Sequence, residues 1–235
     1  MALLRGPRIV RNGLVLHLDA AQRTSYSGSG TAWYDLSGNR NNATLNGPVF
    51  NSANGGNIFF DGSNDYGTVE ANTNYLIGSG YSLHAWVVAL DNPWNYVGIC
   101  GTFDEIPSQY YGSSFAIPYN QQTFTFVVGG WGPGAYNYIY ASSTYTIGQW
   151  YYLVGTNSGT SCKFYINGRL DTTYTQPGVS SNPGSTTKFK LGRIYQNISN
   201  YYFYGRIASC GYYNRELSAS EVLQNYNATK GRFNL

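Results

Sequence analysis

The feature that most constrains the fold is a series of short stretches that alternate with period two and are separated by polar breaks. Residues 14–19, LVLHLD, place leucine on one face of a strand and valine, histidine and aspartate on the other. The segment that follows, 27–48, is dense in Gly, Asn, Asp and Ser, which favour turns. Similar stretches recur at intervals close to the about 8–12 residues typical of a sandwich. The pattern therefore predicts an all-β, antiparallel β-sandwich.

Two segments add detail to this prediction. Residues 81–90, YSLHAWVVAL, alternate at first and become apolar on both faces after Ala85, which indicates a central strand covered on both sides. Asn167 and Gly168 separate two further alternating stretches. Both residue types tolerate positive φ, so this pair predicts a hairpin with a two-residue type I′ turn.

One helix is predicted near the end of the sequence. Ser218 is a good N-cap, and Glu221 follows three residues later, which is the pattern of a capping box. Leu217 and Val222 occupy the positions of a hydrophobic staple around this cap. Gly231 is placed to end the helix. The sequence thus predicts one short C-terminal helix that packs on the sandwich.

The composition indicates a folded domain with a neutral polar surface. Only 11% of the 235 residues are charged, 17% are aromatic, and Tyr alone numbers 24. Disordered chains have the opposite bias. No repeat, linker or change of composition divides the sequence, so a single domain is expected over 13–235. Such a surface suits sugar contacts or close packing against neighbouring proteins.

The net charge of +3 is concentrated at the N-terminus. Arg5, Arg8 and Arg11 lie in a basic arm, residues 1–12, that contains no acid. The remainder has eleven basic and eleven acidic residues, and it lacks the basic stripe typical of nucleic-acid binders. Binding to nucleic acid is therefore not expected. The arm is either solvated or docks on an acidic partner surface.

The cysteines and apolar segments indicate neither a disulfide framework nor membrane insertion. Cys100, Cys162 and Cys210 are odd in number and far apart within apolar stretches, which favours buried thiols. No apolar segment approaches the roughly 18 residues needed to span a bilayer. The N-terminus lacks the pattern of a signal peptide. Secretion and membrane association are therefore not expected.

Six blocks follow one another along the sequence: GLVLHLDA (13–20), WYDLSGNRNNATL (33–45), FNSANGGNIFFDGSNDY (50–66), SLHAWV (82–87), FYINGRLD (164–171) and GRIASCGYYNRELSASEVLQNYNATKGRF (205–233). In this order and spacing they resemble the laminin-G-like, concanavalin A-like jelly-roll domains, in the form found in tailed-bacteriophage virion proteins. The resemblance implies a two-sheet jelly-roll sandwich with its first strand beside its last, and a non-catalytic role in sugar or protein binding.

Catalytic chemistry is not expected from these residues. Related sandwich-fold glucanases carry their carboxylates in an E-x-D-x-x-E pattern on one strand, and this pattern is absent. Asp104 and Glu105 are adjacent and would point to opposite faces of a strand. His17 and His84 lie in predicted strands and are expected to be hydrogen-bonded structural histidines. No nucleophile elbow or HExxH helix is present.

A Ca²⁺ site is the one cofactor that the resemblance suggests. Many relatives hold calcium at the sandwich rim with carboxylates and backbone carbonyls, the oxygen ligands that this cation prefers. Asp61 and Asp65, in DGSND, are spaced like ligands from one turn, and Asp35 and Asn39, in DLSGN, would join them from a neighbouring loop. The alternative is turn formation by the same side chains without metal.

A sugar site would need exposed aromatic rings beside polar groups. Trp94, Trp131 and Tyr136 lie in irregular segments rich in Gly and Pro and are the candidates, although packing could also explain each ring. Three other tryptophans belong to the family-like blocks and are expected in the core: Trp33, Trp86 and Trp150.

Two functions are consistent with these observations. The first is a structural or decoration protein of a tailed-bacteriophage virion, assembled in the host cytoplasm, which contacts other capsid or tail proteins and also binds glycans in some settings. Its docking residues would be Arg5, Arg8 and Arg11. The alternative is a carbohydrate-binding, lectin-like adhesion or receptor-binding protein.

Overall fold

A computed structural model describes residues 8–70, 80–106, 109–129, 136–175, 188–195 and 201–235. Helix α1 spans Ala219–Thr229, and 3₁₀ turns span Ala53–Gly55 and Lys230–Phe233. The strands are β1 (Leu14–Asp19), β2 (Ala32–Trp33), β3 (Ala43–Asn46), β4 (Val49–Asn51), β5 (Asn57–Asp61), β6 (Tyr66–Val69), β7 (Tyr81–Ala89), β8 (Val97–Gly101), β9 (Asp104–Ile106), β10 (Gln109–Tyr111), β11 (Ser113–Ile117), β12 (Thr123–Gly129), β13 (Tyr136–Thr144), β14 (Tyr151–Asn157), β15 (Ser161–Ile166), β16 (Arg169–Thr175), β17 (Phe189–Leu191) and β18 (Tyr204–Tyr213).

The strands of the described ranges form two eight-stranded antiparallel sheets and one separate hairpin. In the first sheet the order is β16-β15-β14-β7-β18-β5-β4, and β1 also pairs with β18. In the second sheet the order is β13-β12-β11-β8-β17-β6-β3-β2. Strands β9 and β10 pair with each other. The predicted all-β, two-sheet sandwich with one C-terminal helix is confirmed.

Strand β18 lies at the centre of the first sheet and joins the two ends of the described chain. One of its edges pairs with β7 along most of its length. Its other edge pairs first with β5 and then with β1, where Leu14 lies opposite Tyr213 and Asp19 opposite Ser209. The expected pairing of the first and last strands is therefore confirmed.

The hairpin turn and the start of the helix, which were predicted from local sequence signals, are both confirmed. Asn167 and Gly168 connect β15 to β16 with φ values of 51° and 78°, as a type I′ turn requires. The Ser218 side chain accepts the backbone N–H of Glu221, and the Glu221 side chain accepts that of Ser218. The predicted capping box is present.

The α-helix ends at Thr229, with Lys230 as its C-cap, which agrees with the predicted position, but Gly231 is not the residue that stops the helical path. Gly231 lies inside the 3₁₀ turn that continues α1, and Asn234 takes the left-handed conformation with φ 59°. The helical path therefore extends far enough to bring Phe233 onto the sandwich, where its ring stacks on Trp86 at 4.1 Å between centroids. No helix among the described residues is long and apolar enough to cross a bilayer.

Two layers of apolar side chains result from this arrangement. The main core lies between the sheets and contains Trp33, which is fully buried. A second cluster lies on the outer face of the first sheet, beneath α1, and contains Trp86 and Leu217, with Trp150 packed at its margin. All three cysteines are buried and free, as predicted. We refer to α1, the following 3₁₀ turn and residues 8–12 as the cap.

Residues 8–12, the described part of the predicted arm, are packed into this cap. Val10 is buried, and its N–H donates to Asn225 Oδ1 at 2.7 Å. The Tyr213 hydroxyl donates to the Val10 carbonyl at 2.9 Å, and Asn225 Nδ2 donates to that hydroxyl at 3.1 Å. Gln224 Nε2 donates to the Arg8 carbonyl. A buried amide thus fixes the N-terminal segment to the helix.

Replacing this amide should weaken the cap. In Asn225→Ala the Val10 N–H and the Tyr213 hydroxyl lose a buried partner, and an unsatisfied buried group costs about 1–3 kcal/mol. We expect a loss of about 2–4 kcal/mol of unfolding free energy in urea, with faster hydrogen exchange at the Val10 amide. Gln224→Ala, which removes an exposed hydrogen bond, is the control and should change stability little. Equal stability of the two variants would contradict the role of Asn225.

Candidate functional site

A group of tyrosines covers part of the outer face of the second sheet. On β13, Ile139 points into the main core, while Tyr136, Tyr138 and Tyr140 point outward and are partly or fully exposed. Side chains from neighbouring segments extend the group. We define the tyrosine face as Tyr96, Tyr136, Tyr138, Tyr140, Tyr195 and Tyr201.

The rings of this face support one another. Tyr138 contacts Tyr136, Tyr140 and Tyr96, with ring centroids 5.0, 5.8 and 5.4 Å apart. Tyr195 packs edge-on against Tyr201 at 5.4 Å. Such contacts hold rings in defined orientations, and tyrosine loses little conformational entropy when it binds a ligand. The face is therefore a preorganised aromatic surface.

Burial keeps the hydroxyl groups of Tyr96 and Tyr138 protonated at neutral pH by raising the pKa of each. Burial raises the pKa of Tyr96 well above its usual value, and the neighbouring tyrosines act in the same direction. Burial also raises the pKa of Tyr138, with a further contribution from its hydrogen bond with Tyr136. The Tyr96 hydroxyl has no hydrogen-bond partner within the described parts of the chain. The partly exposed Tyr138 can therefore meet a polar ligand as a neutral phenol, whereas the Tyr96 hydroxyl is buried beneath the surface.

Two strongly exposed rings lie in loops at one end of the strands of the second sheet. Trp94, in the β7–β8 connection, is 77% exposed, and Tyr119, in the β11–β12 connection, is 59% exposed. The Asn120 N–H donates to the Pro93 carbonyl and holds the two loops together. We call Trp94 and Tyr119 the rim pair.

The sequence-predicted sugar residues therefore have different outcomes. Trp94 belongs to the rim pair, Tyr136 belongs to the tyrosine face, and Trp131 lies outside the described residues. Tyr119 was missed. Its position between Pro118 and Asn120 in a polar turn was the available signal, because an aromatic ring at a turn tip is poorly placed for the core.

A buried ion pair lies on the same outer face, and no sequence motif indicated it. Lys190 alternates with Phe189 and Leu191, which point into the main core. Its side chain is 1% exposed, and its Nζ lies 3.0 Å from Asp104 Oδ2. Burial lowers the pKa of Lys190 to about 8, against the opposing effect of Asp104. The ammonium group is therefore enclosed by the protein and is not presented at the aromatic surface.

The first pair of predicted calcium ligands serves the loop itself. Asp35 Oδ1 accepts the N–H groups of His17 and Ser37, and Oδ2 accepts the Ser37 hydroxyl and the Asn41 N–H. Asn39 directs its Nδ2, a donor, toward the Leu14 and Val15 carbonyls. These hydrogen bonds fold the loop onto β1.

The second predicted pair forms a turn at the other end of β3. Asp61 Oδ1 accepts the N–H groups of Ser63 and Asn64, and Asp65 Oδ2 accepts the Asp61 N–H. Asp65 lies beside Gly47, just after β3, whereas Asp35 bonds to residues just before it. With about 3.3 Å per strand residue, the two pairs are more than about 10 Å apart. The structure does not bring the four residues together, and calcium binding by either pair stays a prediction.

The two histidines form a buried pair, and the expectation that each ring is hydrogen-bonded was wrong for His84. His17 on β1 and His84 on β7 lie on either side of Gly211 on β18. A Cβ at Gly211 would stand 2.5 Å from His84 Nε2, so the missing side chain lets the rings approach to 5.6 Å. Both ring nitrogens of His84 and Nδ1 of His17 lack hydrogen-bond partners in the described structure.

Burial also sets the charge of this pair. It lowers the pKa of His17, and it lowers that of His84 further below its usual value. Asp19 and Asp35 raise the His17 pKa, whereas the cations Arg11 and Arg232 lower it. The rings of Tyr152 and Tyr213 pack against His84. Both imidazoles are therefore neutral at pH 7.

Comparison with known proteins identifies the scaffold. A laminin-G family model, described as the concanavalin A-like lectin/glucanases superfamily, matches residues 60–223, which is more than half of the chain. No curated protein sequence matches the chain significantly.

Several solved structures share the fold at low identity. The Trypanosoma rangeli sialidase in complex with the inhibitor DANA is 15% identical with a TM-score of 0.70, over 96% of this chain and 36% of the sialidase. The ligand-binding domain of botulinum neurotoxin serotype D in complex with N-acetylneuraminic acid is 19% identical with a TM-score of 0.67, over 92% and 51%. The binding domain of Paraclostridial Mosquitocidal Protein 1 is 18% identical with a TM-score of 0.67, over 93% and 52%. The chain thus spans between about a third and about half of these proteins.

The histidine pair predicts a specific loss of stability in mild acid. Below pH 6.5, the ordinary histidine pKa, unfolded histidines bind protons that the folded pair, with its lowered pKa values, does not. Unfolding then becomes more favourable as pH falls, by up to about 1.4 kcal/mol per pH unit for each histidine. Urea midpoints measured from pH 7.5 to 5 should fall for the native chain and fall less for His84→Phe. A slope that His84→Phe leaves unchanged would assign the effect to other groups.

Calcium removal tests the two aspartate turns. Because the described carboxylates already accept backbone N–H groups, we expect the same melting temperature in EDTA and in millimolar CaCl₂. A specific ligand of the folded state would raise it. A rise with Ca²⁺ that Asp65→Asn abolishes would establish the calcium site instead.

Proposed function

The chain belongs to the concanavalin A-like lectin/glucanase superfamily, and from this premise we propose that it is a non-catalytic carbohydrate-binding domain. The observation that carries the proposal is the tyrosine face with the rim pair beside it. Sugars present apolar C–H faces and polar hydroxyl edges, and tyrosine and tryptophan offer both kinds of contact from one rigid side chain.

The position of the aromatic residues supports binding over simple packing. The rim pair is exposed, with Trp94 losing less than a quarter of its surface to the fold. Exposed aromatic groups on loops that a rigid scaffold positions are typical of recognition surfaces. The hydroxyls of the partly exposed Tyr136, Tyr138 and Tyr140 supply donors for sugar oxygens.

A binding role is also favoured over hydrolysis. A retaining glycosidase needs two carboxyl groups about 5–5.5 Å apart. Among the described side chains on the outer face of the second sheet, Asp104 is neutralised by Lys190, and no described carboxylate stands beside it as a second catalytic group. The sialidase is 15% identical to this chain. At this level the likeness supports a shared fold and gives no support for a shared reaction.

The solved structure of the neurotoxin domain gives the proposal a parallel. That domain shares the fold and was crystallised with N-acetylneuraminic acid. The parallel supports a glycan as the ligand class for this chain. Which sugar binds is to be determined with the glycan array described below.

A second candidate function is structural attachment to a tailed-bacteriophage virion. It is supported by the family resemblance of the sequence blocks and by one feature of the structure. Arg8 and Arg11 are exposed, and neither forms an ion pair with a carboxylate of the described chain. With Arg5, which lies outside the described residues, they would meet an acidic surface on a capsid or tail protein. Specific co-sedimentation with virions, lost when the three arginines are replaced, tests this role.

A glycan array with purified protein tests the sugar-binding proposal. We expect selective binding that Trp94→Ala, Tyr119→Ala and Tyr138→Ala each weaken by about tenfold, which corresponds to about 1.4 kcal/mol of lost contact. Trp131→Ala extends the test to the remaining candidate.

The matched control is Tyr34→Ala. Tyr34 is also an exposed aromatic residue, 49% exposed, but it follows β2 at the opposite end of the second sheet from β13. Its replacement should leave binding unchanged. Absence of any glycan binding would contradict the proposal. An equal loss of binding in the control Tyr34→Ala and in the variants of the tyrosine face and rim pair would also contradict it.

A further inference from the structure

A polar groove runs along the cap, on the opposite side of the sandwich from the tyrosine face. It consists of two hollows of about 430 and 350 Å³ that share Asp19, Gln22, Ala228 and Thr229 and are therefore continuous. One wall is the N-terminal segment at Arg8, Ile9 and Arg11, and the other is the C-terminal end of α1. Ligand sites typically occupy about 300–1,000 Å³.

We propose that this groove is a second ligand site, specific for an acidic saccharide, whose carboxylate is bound by Arg8 and Arg11. The proposal goes beyond the function assigned to the tyrosine face, because it concerns other residues, another sheet and a charged class of sugar.

The positive charge of one wall of the groove favours an anionic ligand. Arg8 and Arg11 both line the groove, and no carboxylate of the described chain pairs with either. Arg11 Nη1 donates to the Leu36 carbonyl at 3.2 Å, which holds the guanidinium at the groove mouth. Guanidinium groups bind carboxylates through paired N–H donors. The two residues first considered for a protein partner thus face a cavity of small-molecule size.

His17 supplies an independent sign of a ligand. It is 7% exposed, lines the larger hollow, and its Nδ1 has no hydrogen-bond partner in the described structure. An unpartnered buried polar group costs about 1–3 kcal/mol and calls for an explanation such as a bound water or ligand. Because burial keeps the imidazole neutral, a ligand in the hollow would meet an uncharged ring with one donor and one acceptor nitrogen, of which Nδ1 is covered in the unliganded structure.

The remaining lining suits hydroxyl groups. Asp19 Oδ1 accepts from Arg232 Nη1 at 2.7 Å and from the Ala21 N–H, so its charge is compensated and does not repel an anion. Its other oxygen, Oδ2, accepts no hydrogen bond from the described residues. The amides of Gln22 and Asn227 stand further along the groove. Donors and acceptors therefore alternate along the lining.

Other occupants fit the groove less well. A metal cation would meet Arg8, Arg11 and Arg232, which repel it. An apolar peptide or lipid chain would find few apolar side chains, chiefly Ile9 and Leu36. A carboxylate on a polyhydroxylated ring satisfies both the cations and the polar lining.

NMR titration can test this site directly, because the chain contains only two histidines and their ring signals are easily assigned. The probe is methyl β-D-glucuronide, and the matched neutral probe is methyl β-D-glucoside. We expect glucuronide to shift the His17 ring signals at millimolar concentration, with at least tenfold weaker binding of glucoside. Binding should also weaken with added NaCl, since exposed charges are screened.

Variants then locate the binding residues. Arg8→Gln and Arg11→Gln should each weaken glucuronide binding by about tenfold. Arg8 is the cleaner test, because no described group is hydrogen-bonded to its side chain. Arg169→Gln removes an equally exposed charge from the β15–β16 hairpin and should have no effect.

Three outcomes would overturn the proposal. Equal binding of the two probes would remove the role of the carboxylate. Loss of glucuronide binding in Trp94→Ala, with Arg8→Gln unaffected, would assign the acidic sugar to the tyrosine face. Binding of polyglutamate without glucuronide would identify the groove as a protein-docking site. Failure of the glycan-array test with Trp94→Ala would leave this proposal standing, since the two sites share no residue.

Discussion

The rest of the structure depends on the pairing of β18 with three strands at once. One edge binds β7, and the other binds β5 and β1 in succession. Because β1 comes from the start of the chain and β18 from its end, this pairing has high contact order and must close a long loop. Once it is closed, the outer face of the first sheet is continuous and α1 has a surface to pack on. The cap, the histidine pair and the groove all follow from this strand.

The sequence predicted those features whose cause is local or periodic. Alternation with period two gave the sandwich, Asn167-Gly168 gave the hairpin turn, and the Ser218 and Glu221 spacing gave the helix start, because each depends on residues a few positions apart. The pairing of β1 with β18 came from the family resemblance. The α-helix ends where predicted, but the 3₁₀ turn that carries Phe233 onto Trp86 was missed, because that packing involves a residue distant in the sequence.

Side-chain groupings across strands could not be predicted in the same way. His17 and His84 meet because Gly211 lies between them in register, and Lys190 meets Asp104 because of how β17 is placed. Neither contact corresponds to a recognisable spacing of residues in the sequence. Polar loops are ambiguous for a related reason: the sequence around Asp35 is the same whether its carboxylate binds a cation or accepts backbone N–H groups. Of the candidate sugar residues, Trp94 was predictable from its setting alone, whereas the tyrosine face required knowledge of which strands are neighbours.

The hydrogen bond from Gln224 to the Arg8 carbonyl has a consequence for the orientation of the domain when it is attached to another body. The first described residue and the C-terminal turn lie on the same side of the sandwich, over the first sheet. A support, a fusion partner or a larger assembly attached through the C-terminal turn would therefore hold the domain on the side opposite the tyrosine face. The aromatic side would face outward, and many copies fixed in this way would display it in parallel. Weak contacts to single sugars would then add up through multivalency, while the groove beside the point of attachment would be shielded.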